Sequence, residues 1–392
     1  MDAVSNPYSP GAGTKPPELA GRDDIRKRVS VCIERLKRGR HDKSILMVGL
    51  RGVGKTVLLD QMRQDAEAAG AHTVRIEAPE DRSLPAILAP QLRIALLRLS
   101  RIEKAKDHAI NALRALAGFV GALKVNFGDI EVGIDAEALP GLADNGDLES
   151  DLGALLAEAG TAAQKAETAL VIFIDEMQYI EETQFGALIS ALHLCSQKGL
   201  PISLIGAGLP QLLARAGNAK SYAERLFDFP MIGALDSNAA ARAITKPAQD
   251  EGVVYDDQAV AKIVQHTHGY PYFLQEWGKH SWDTAQESPI TSADVDNATQ
   301  TALAALDESF FRVRLDRLTP SEKKYLRAMA ALGPGPHRSG DIADQLGTKV
   351  QSVAPTRSSL ISKGMIWSPN HGDTAFTVPL FDEFMIRIMP KN

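Results

Sequence analysis

With only two cysteines among 392 residues, Cys32 and Cys195, the chain has no material for a disulfide framework. The pair sits far apart within helical patterns, and both are read as reduced thiols of a cytosolic protein. Long apolar runs are missing too. None approaches the ~20 residues that a membrane-spanning helix requires, and no apolar leader follows Met1-Asp2-Ala3, so the expected location is cytoplasmic with no membrane partner. His266 and His268 have no Cys or His companions at ligand spacing, which argues against a zinc site. The net charge is only −6, so the whole molecule is no polycation, and any nucleic-acid contact must come from a local patch.

Residues 49–56 read Gly49-Leu50-Arg51-Gly52-Val53-Gly54-Lys55-Thr56, a complete GxxxxGK[ST] phosphate loop. The context is the required one. Ser44-Ile45-Leu46-Met47-Val48 precedes it as a short buried strand, and Val57-Leu58-Leu59-Asp60-Gln61-Met62 begins a helix behind it. Glycines let the backbone curl so that successive N–H groups, up to that of Val57, face a polyphosphate at a helix N-terminus. Lys55 is expected to neutralise the β- and γ-phosphates of ATP, and the Thr56 hydroxyl to hold Mg²⁺. The acidic partner is Leu170-Val171-Ile172-Phe173-Ile174-Asp175-Glu176, an apolar run ending in two carboxylates. Asp175 is assigned to the metal and Glu176 to the water that attacks the γ-phosphate. An Asp-Glu pair points to an ATPase and away from a small-molecule kinase.

Length alone predicts two or three domains at ~150 residues each. Residues 1–20, with Pro7, Pro10, Pro16 and Pro17, read as an extended arm. Residues 21–235 hold the nucleotide-binding domain, with a helix over 23–38 and further strands at 72–77, 169–175, 201–206 and 226–232. Helices separate these strands, which predicts an α/β fold with a parallel sheet covered on both faces. An insertion at 80–165 contains a helix over Leu84–Leu99 that Pro90 should kink. A second helix is expected around Ile102–Leu116, then a β-hairpin about Gly128-Asp129. From 236 to 318 the pattern is helical, with Asp236 and Asp256 as caps and an aromatic stripe, Tyr272 to Trp277, assigned to the core. Residues 319–392 follow a winged helix-turn-helix pattern. One helix starts at Thr319-Pro320, a short one runs from Ser339 to Leu346, a third starts at Pro355, and a wing turns at Asn370-His371-Gly372.

Taken together, the chain resembles AAA+ ATPases of the initiator (origin-recognition) type and the related STAND signalling ATPases, and most of all a bacterial group of ATP-binding proteins. The resemblance spans Pro17-Glu18-Leu19-Ala20-Gly21-Arg22 to the wing. It rests on the phosphate loop, Asp175-Glu176-Met177-Gln178, Gly206-Ala207-Gly208-Leu209-Pro210, Ala219-Lys220-Ser221-Tyr222-Ala223-Glu224-Arg225-Leu226-Phe227 and Gly269-Tyr270-Pro271-Tyr272-Phe273. It implies an AAA+ core with a helical lid and a C-terminal winged helix. By analogy, the segment up to Arg22 lies against adenine, Pro271 packs near it, and Arg225 reaches a γ-phosphate across a subunit interface in an ATP-state homo-oligomer. Two departures stand out. The end of the fourth strand, Gly206-Ala207-Gly208, lacks the polar sensor residue usual there, and no clear sensor arginine stands beside Gly269. Both imply slow hydrolysis with ATP and ADP setting two states.

Two functions fit this pattern. In the first, nucleotide state controls binding of duplex DNA through Thr356, Arg357 and Ser359 of the third helix. The field is modest, since residues 319–392 carry nine basic and six acidic side chains, nine minus six giving +3. In the alternative, the winged helix makes protein contacts and regulates a partner without touching DNA. A metabolic enzyme with ATP as co-substrate is disfavoured, because no second constellation of acids, nucleophiles or ligands accompanies the ATP site.

Overall fold

A computed structural model describes residues 1–11, 13–124 and 136–390. The chain divides into two compact units, one of Arg22–Val48 and Lys55–Met231, the other of Met1–Gly21, Gly49–Gly54 and Ile232–Asn392.

The first of these is built on five parallel strands, β1 (Ser44–Val48), β2 (His72–Glu77), β3 (Leu170–Asp175), β4 (Ile202–Gly208) and β5 (Phe227–Asp228), in the order β2-β3-β4-β1-β5. Every residue of β1, β3 and β4 is buried, which explains why their sequences are mainly apolar with no alternation. The helices are α1 (Asp23–Lys37), α2 (Lys55–Ala68), α3 (Leu84–Leu99), α4 (Lys106–Leu123), α5 (Leu148–Lys165), α6 (Glu182–Gln197), α7 (Leu212–Ala219) and α8 (Ala223–Leu226). Within the insertion, α5 packs against both α4 and α6 in an apolar core shared with the sheet. Helix α3 runs on through Pro90. The carbonyl that a proline at this position leaves without its helical N–H belongs to Ala86, and the Arg82 guanidinium donates to it at 3.3 Å. Of the expected hairpin, Leu123 instead ends α4, and the rest lies outside the described residues.

The second unit has helices α9 (Ser237–Asp250), α10 (Asp257–Thr267), α11 (Pro271–Thr284), α12 (Ser292–Ala305) and α13 (Arg312–Asp316), with one π-helical stretch at Leu306–Phe311. Asp236 caps α9 by accepting from the Ala239 N–H at 2.9 Å, whereas the Asp256 side chain makes no cap bond. After α14 (Pro320–Ala330) come β6 (His337–Arg338), α15 (Ser339–Gln345), α16 (Val350–Ser362), β7 (Ile366–Trp367), β8 (Asp373–Phe376) and α17 (Phe381–Ile388), the strands forming an antiparallel sheet in the order β6-β8-β7. Helix α16 begins at Val350, not at Pro355. Pro355 lies inside it, four residues after the exposed Gln351, whose carbonyl it leaves without a helical N–H.

The N-terminal arm is anchored on these helices. Tyr8 is 3% exposed, its hydroxyl donates to the Ile244 carbonyl, and its ring lies against Gly278, where a Cβ would approach to 2.6 Å. Asn6 donates to the Lys279 carbonyl, and the Trp282 indole to that of Asp2. Helices α9–α12 and the C-terminal elements share one apolar cluster with Tyr8.

A buried charge ties α14 to α16. Glu322 completes a capping box with Thr319 and accepts from Lys363 at 2.8 Å and Ser359 at 2.7 Å. Burial alone would raise its carboxyl, but Lys363, the Thr319 N–H and the Ser359 and Thr319 hydroxyls outweigh it and hold the group down at about 2, against an ordinary 4.5. A carboxyl depressed in the folded state stabilises above its unfolded value, so this contribution is complete above pH 4.5 and is lost as the pH falls toward 2. Glu322→Gln is therefore expected to destabilise the protein by roughly 3 kcal/mol at neutral pH. Urea unfolding at pH 7 and pH 4 should show the gap from the native protein narrowing at the lower value.

Candidate functional site

The carboxyl end of β3 meets the amino end of α2. Lys55 opens α2 and is 8% exposed, and Asp175, the last residue of β3, is 5% exposed. The Thr56 hydroxyl bonds to the Asp175 carboxylate, and the Lys55 ammonium lies within its electrostatic reach. Burial is the largest influence on Asp175 and raises its pKa. The neighbouring Glu176 charge adds to this, while Thr56, the Glu176 N–H and Lys55 oppose it. A desolvated carboxylate and a hydroxyl side by side form a hard-oxygen pair suited to Mg²⁺.

Glu176 follows in a left-handed conformation, φ 52° and ψ 38°. Such a backbone is unusual for a residue with a side chain and costs on the order of 1–3 kcal/mol. It breaks the strand sharply, with the Glu176 N–H turned back onto Asp175 Oδ1 at 2.9 Å. A short 3₁₀ turn, Met177–Tyr179, then carries Gln178, whose side-chain amide donates to Glu176 Oε2.

The tip of the phosphate loop belongs to the other unit. Gly52 and Gly54 adopt φ of 79° and 85°, where only glycine is unstrained, and a Cβ on Gly49 would stand 2.1 Å from the Ile232 carbonyl oxygen. The Arg51 N–H donates to the Thr377 carbonyl at 3.0 Å, and the Gly52 carbonyl accepts from the Tyr272 N–H at 3.2 Å. These two contacts had no signal in the sequence, because they join residues more than 200 positions apart.

The remaining candidates fall in different places. Arg22 is the N-cap residue of α1, and its carbonyl accepts from the Arg26 N–H. Pro271 is the first residue of α11, after Gly269 at φ 70°, where Leu235 leaves no room for a Cβ. Arg225 is exposed on α8, and no ion pair holds its side chain among the described residues. In α16, Arg357 donates to the Thr374 and Ser368 hydroxyls and to the Asp373 carbonyl, each at 2.9 Å. Ser359 donates to Glu322. Two of the three expected groove contacts are thus engaged inside the C-terminal fold, Arg357 by β8 and the residues before it and Ser359 by α14.

The missing sensor has a steric explanation. A Cβ at Gly206 would lie 2.1 Å from Met177 Sδ and 2.7 Å from Leu46 Cδ2. Replacing it with asparagine, the family-like polar residue, is expected to overpack the strand and cost about 1–3 kcal/mol. A urea-unfolding midpoint unchanged by Gly206→Asn would show that room exists after all.

Comparison with known proteins agrees with this architecture. Residues 18–205 match the family model described as an AAA ATPase domain, and residues 308–385 match a domain of unknown function, DUF8462. No curated protein matches the sequence. Among solved structures, the chain is similar to the Walker-type ATPase PABY2304 of Pyrococcus abyssi, with a TM-score of 0.60 and 13% identity over 95% of this chain and 97% of that one. Weaker likenesses are to the Orc1 protein of Aeropyrum pernix, solved in complex with DNA (TM-score 0.48, 15% identity, 96% and 94% covered), and to the RuvB Holliday junction branch migration motor of Thermotoga maritima (0.45, 16%, 93% and 96%). The strand order and the phosphate loop are those of the AAA+ P-loop fold, in agreement with the match of residues 18–205 to the AAA ATPase domain model.

Proposed function

We propose that the protein is a magnesium-dependent ATPase that hydrolyses ATP slowly and works as a nucleotide-gated switch. The observation that carries this reading is the cluster of Lys55, Thr56, Asp175 and Glu176 at the β3–α2 junction. Loop N–H groups and Lys55 hold the β- and γ-phosphates. Thr56 and Asp175 hold Mg²⁺, which supplies neutralisation of the phosphate charge when bound. Glu176, placed beyond Asp175 by its left-handed backbone, polarises the attacking water as the new O–P bond forms and the bond to the ADP leaving oxygen breaks. Slow turnover follows from the side-chain-poor end of β4. In this reading Arg225, exposed on α8, supplies its guanidinium to a neighbouring subunit in an ATP-state oligomer.

The switch reading rests on the contacts of the loop tip. Thr377 follows β8, and Tyr272 lies in α11, so a change in the shape of Arg51-Gly52 is felt by both. We take the α14–β8 module to be a winged helix. The engagement of Arg357 and Ser359 inside the fold favours the signalling alternative, in which this module contacts protein, over readout of duplex DNA. Arg327 and Lys363 are likewise held, by the Met389 carbonyl and Glu322, which weakens the basic field further.

Lys55→Ala should abolish stable binding of fluorescent ATP, and an unchanged affinity would refute the site. Glu176→Gln should bind ATP normally while phosphate release falls by at least ~100-fold. Titration with duplex DNA, with ATP or ADP at rising salt, should reveal no ATP-dependent, salt-sensitive binding. Such binding would restore the DNA reading.

A further inference from the structure

We propose that Gln178 is a positioning residue for Glu176, supplying from the β3 side the polar contact that the end of β4 lacks. The inference rests on the reading of Glu176 as the group that polarises water, and it adds the residue that fixes its orientation.

Gln178 is 5% exposed, and both ends of its amide are committed. Oε1 accepts from the Leu209 N–H, the first backbone donor after β4, at 3.0 Å. The opposite end, Nε2, donates to Glu176 Oε2. Because the Leu209 N–H can only donate, Oε1 must face it, so the N–H₂ group must face the carboxylate. One side chain therefore links the end of the fourth strand to the carboxylate after the third.

The glycines of β4 make room for this link. At Gly206 a Cβ would collide with Met177, the residue between Glu176 and Gln178, and at Gly208 it would come within 3.0 Å of Gln178 Oε1. The absent sensor and the presence of Gln178 are one packing solution. A polar side chain carried by β4 would occupy the space that the 3₁₀ turn fills with a side chain carried by β3.

The turn itself is braced from behind. Arg215 of α7 donates to the Gln178 carbonyl at 2.8 Å and also to that of Ile180. Helix α7 leads through Lys220 to α8, which bears Arg225. With one Glu176 oxygen held by Gln178, the other carries no hydrogen bond among the described residues and is left for the attacking water. Freed from the amide, the carboxylate would sample other rotamers, and orientation of this kind is worth on the order of 10–100-fold in rate.

The test compares Gln178→Met, which keeps the volume and removes the amide, with Gln178→Glu, which keeps an acceptor for Leu209 and removes the donor to Glu176. Both should lower kcat by about 10–100-fold, with KM for ATP and the calorimetric Kd for ATP and ADP changed less than about two-fold. In a Glu176→Gln background, Gln178→Met should cause no further loss, since there is no carboxylate left to orient. A structural role would lower that residual rate as well, or weaken nucleotide binding, and either result overturns the proposal. A native or raised kcat in Gln178→Glu overturns it too, and that variant decides the matter should Gln178→Met fail to fold. If Glu176→Gln itself hydrolyses ATP at the native rate, the underlying reading fails and the proposal fails with it. A dead Glu176→Gln beside a fully active Gln178→Met rejects the positioning role alone.

Discussion

A carboxylate at the end of a strand buried on both faces sets the terms for the rest of this molecule. Asp175 is drawn out of water by the same apolar packing that makes β3 a central strand, and burial raises its pKa. An isolated group in that position would be a defect, since a buried charge without a partner is strongly disfavoured. The site resolves this with the Thr56 hydroxyl, the Glu176 N–H and the Lys55 ammonium, all fixed by backbone geometry at the β3–α2 junction. On the reading proposed above, this cluster is what would receive a cation and a polyphosphate.

The second unit has a continuous packing of its own. Tyr272, whose N–H holds the Gly52 carbonyl, stacks on Phe310 with ring centres 4.7 Å apart. Phe310 meets Phe311 at 5.3 Å, and Phe311 stacks on Phe384 of α17 at 5.0 Å. The π-helical stretch at Leu306–Phe311 sets two consecutive aromatic residues into this chain of contacts, and such irregular turns are frequent at functional sites. Close-packed rings transmit displacement because their interiors have little free volume. The loop tip, helices α11 and α17 and the π-helical stretch thus share one unit held by aromatic packing, with Thr377 closing the circuit at Arg51.

Much of this was written in the sequence, and the reasons differ by element. Continuous apolar stretches located β1, β3 and β4, which are buried on both faces, whereas β2, at the edge of the sheet, exposes Arg75 and Glu77. The phosphate loop and the Asp-Glu pair were legible because their chemistry fixes residue types at fixed spacing. The last strand was overestimated: of 226–232, Phe227–Asp228 form the strand and Met231 makes a single bridge to Val48, with Pro230, which cannot donate to a ladder, interrupting them. The start of α16 was misplaced because proline reads as a helix opening, whereas Pro355 sits a full turn further in. The docked arm was beyond reach, since the Tyr8 contact with Gly278 depends on packing between distant segments. Gln178 was visible as a letter in a motif but not as a partner of Glu176, because nothing local shows that the glycines of β4 leave it room.

The most direct test of the central claim is calorimetric titration of the intact protein with ATP and with ADP, in the presence of magnesium and of a chelator. The account requires saturable binding of one nucleotide per chain, weakened for ATP when magnesium is withdrawn. Folded protein that releases or absorbs no heat with either nucleotide in magnesium would contradict it.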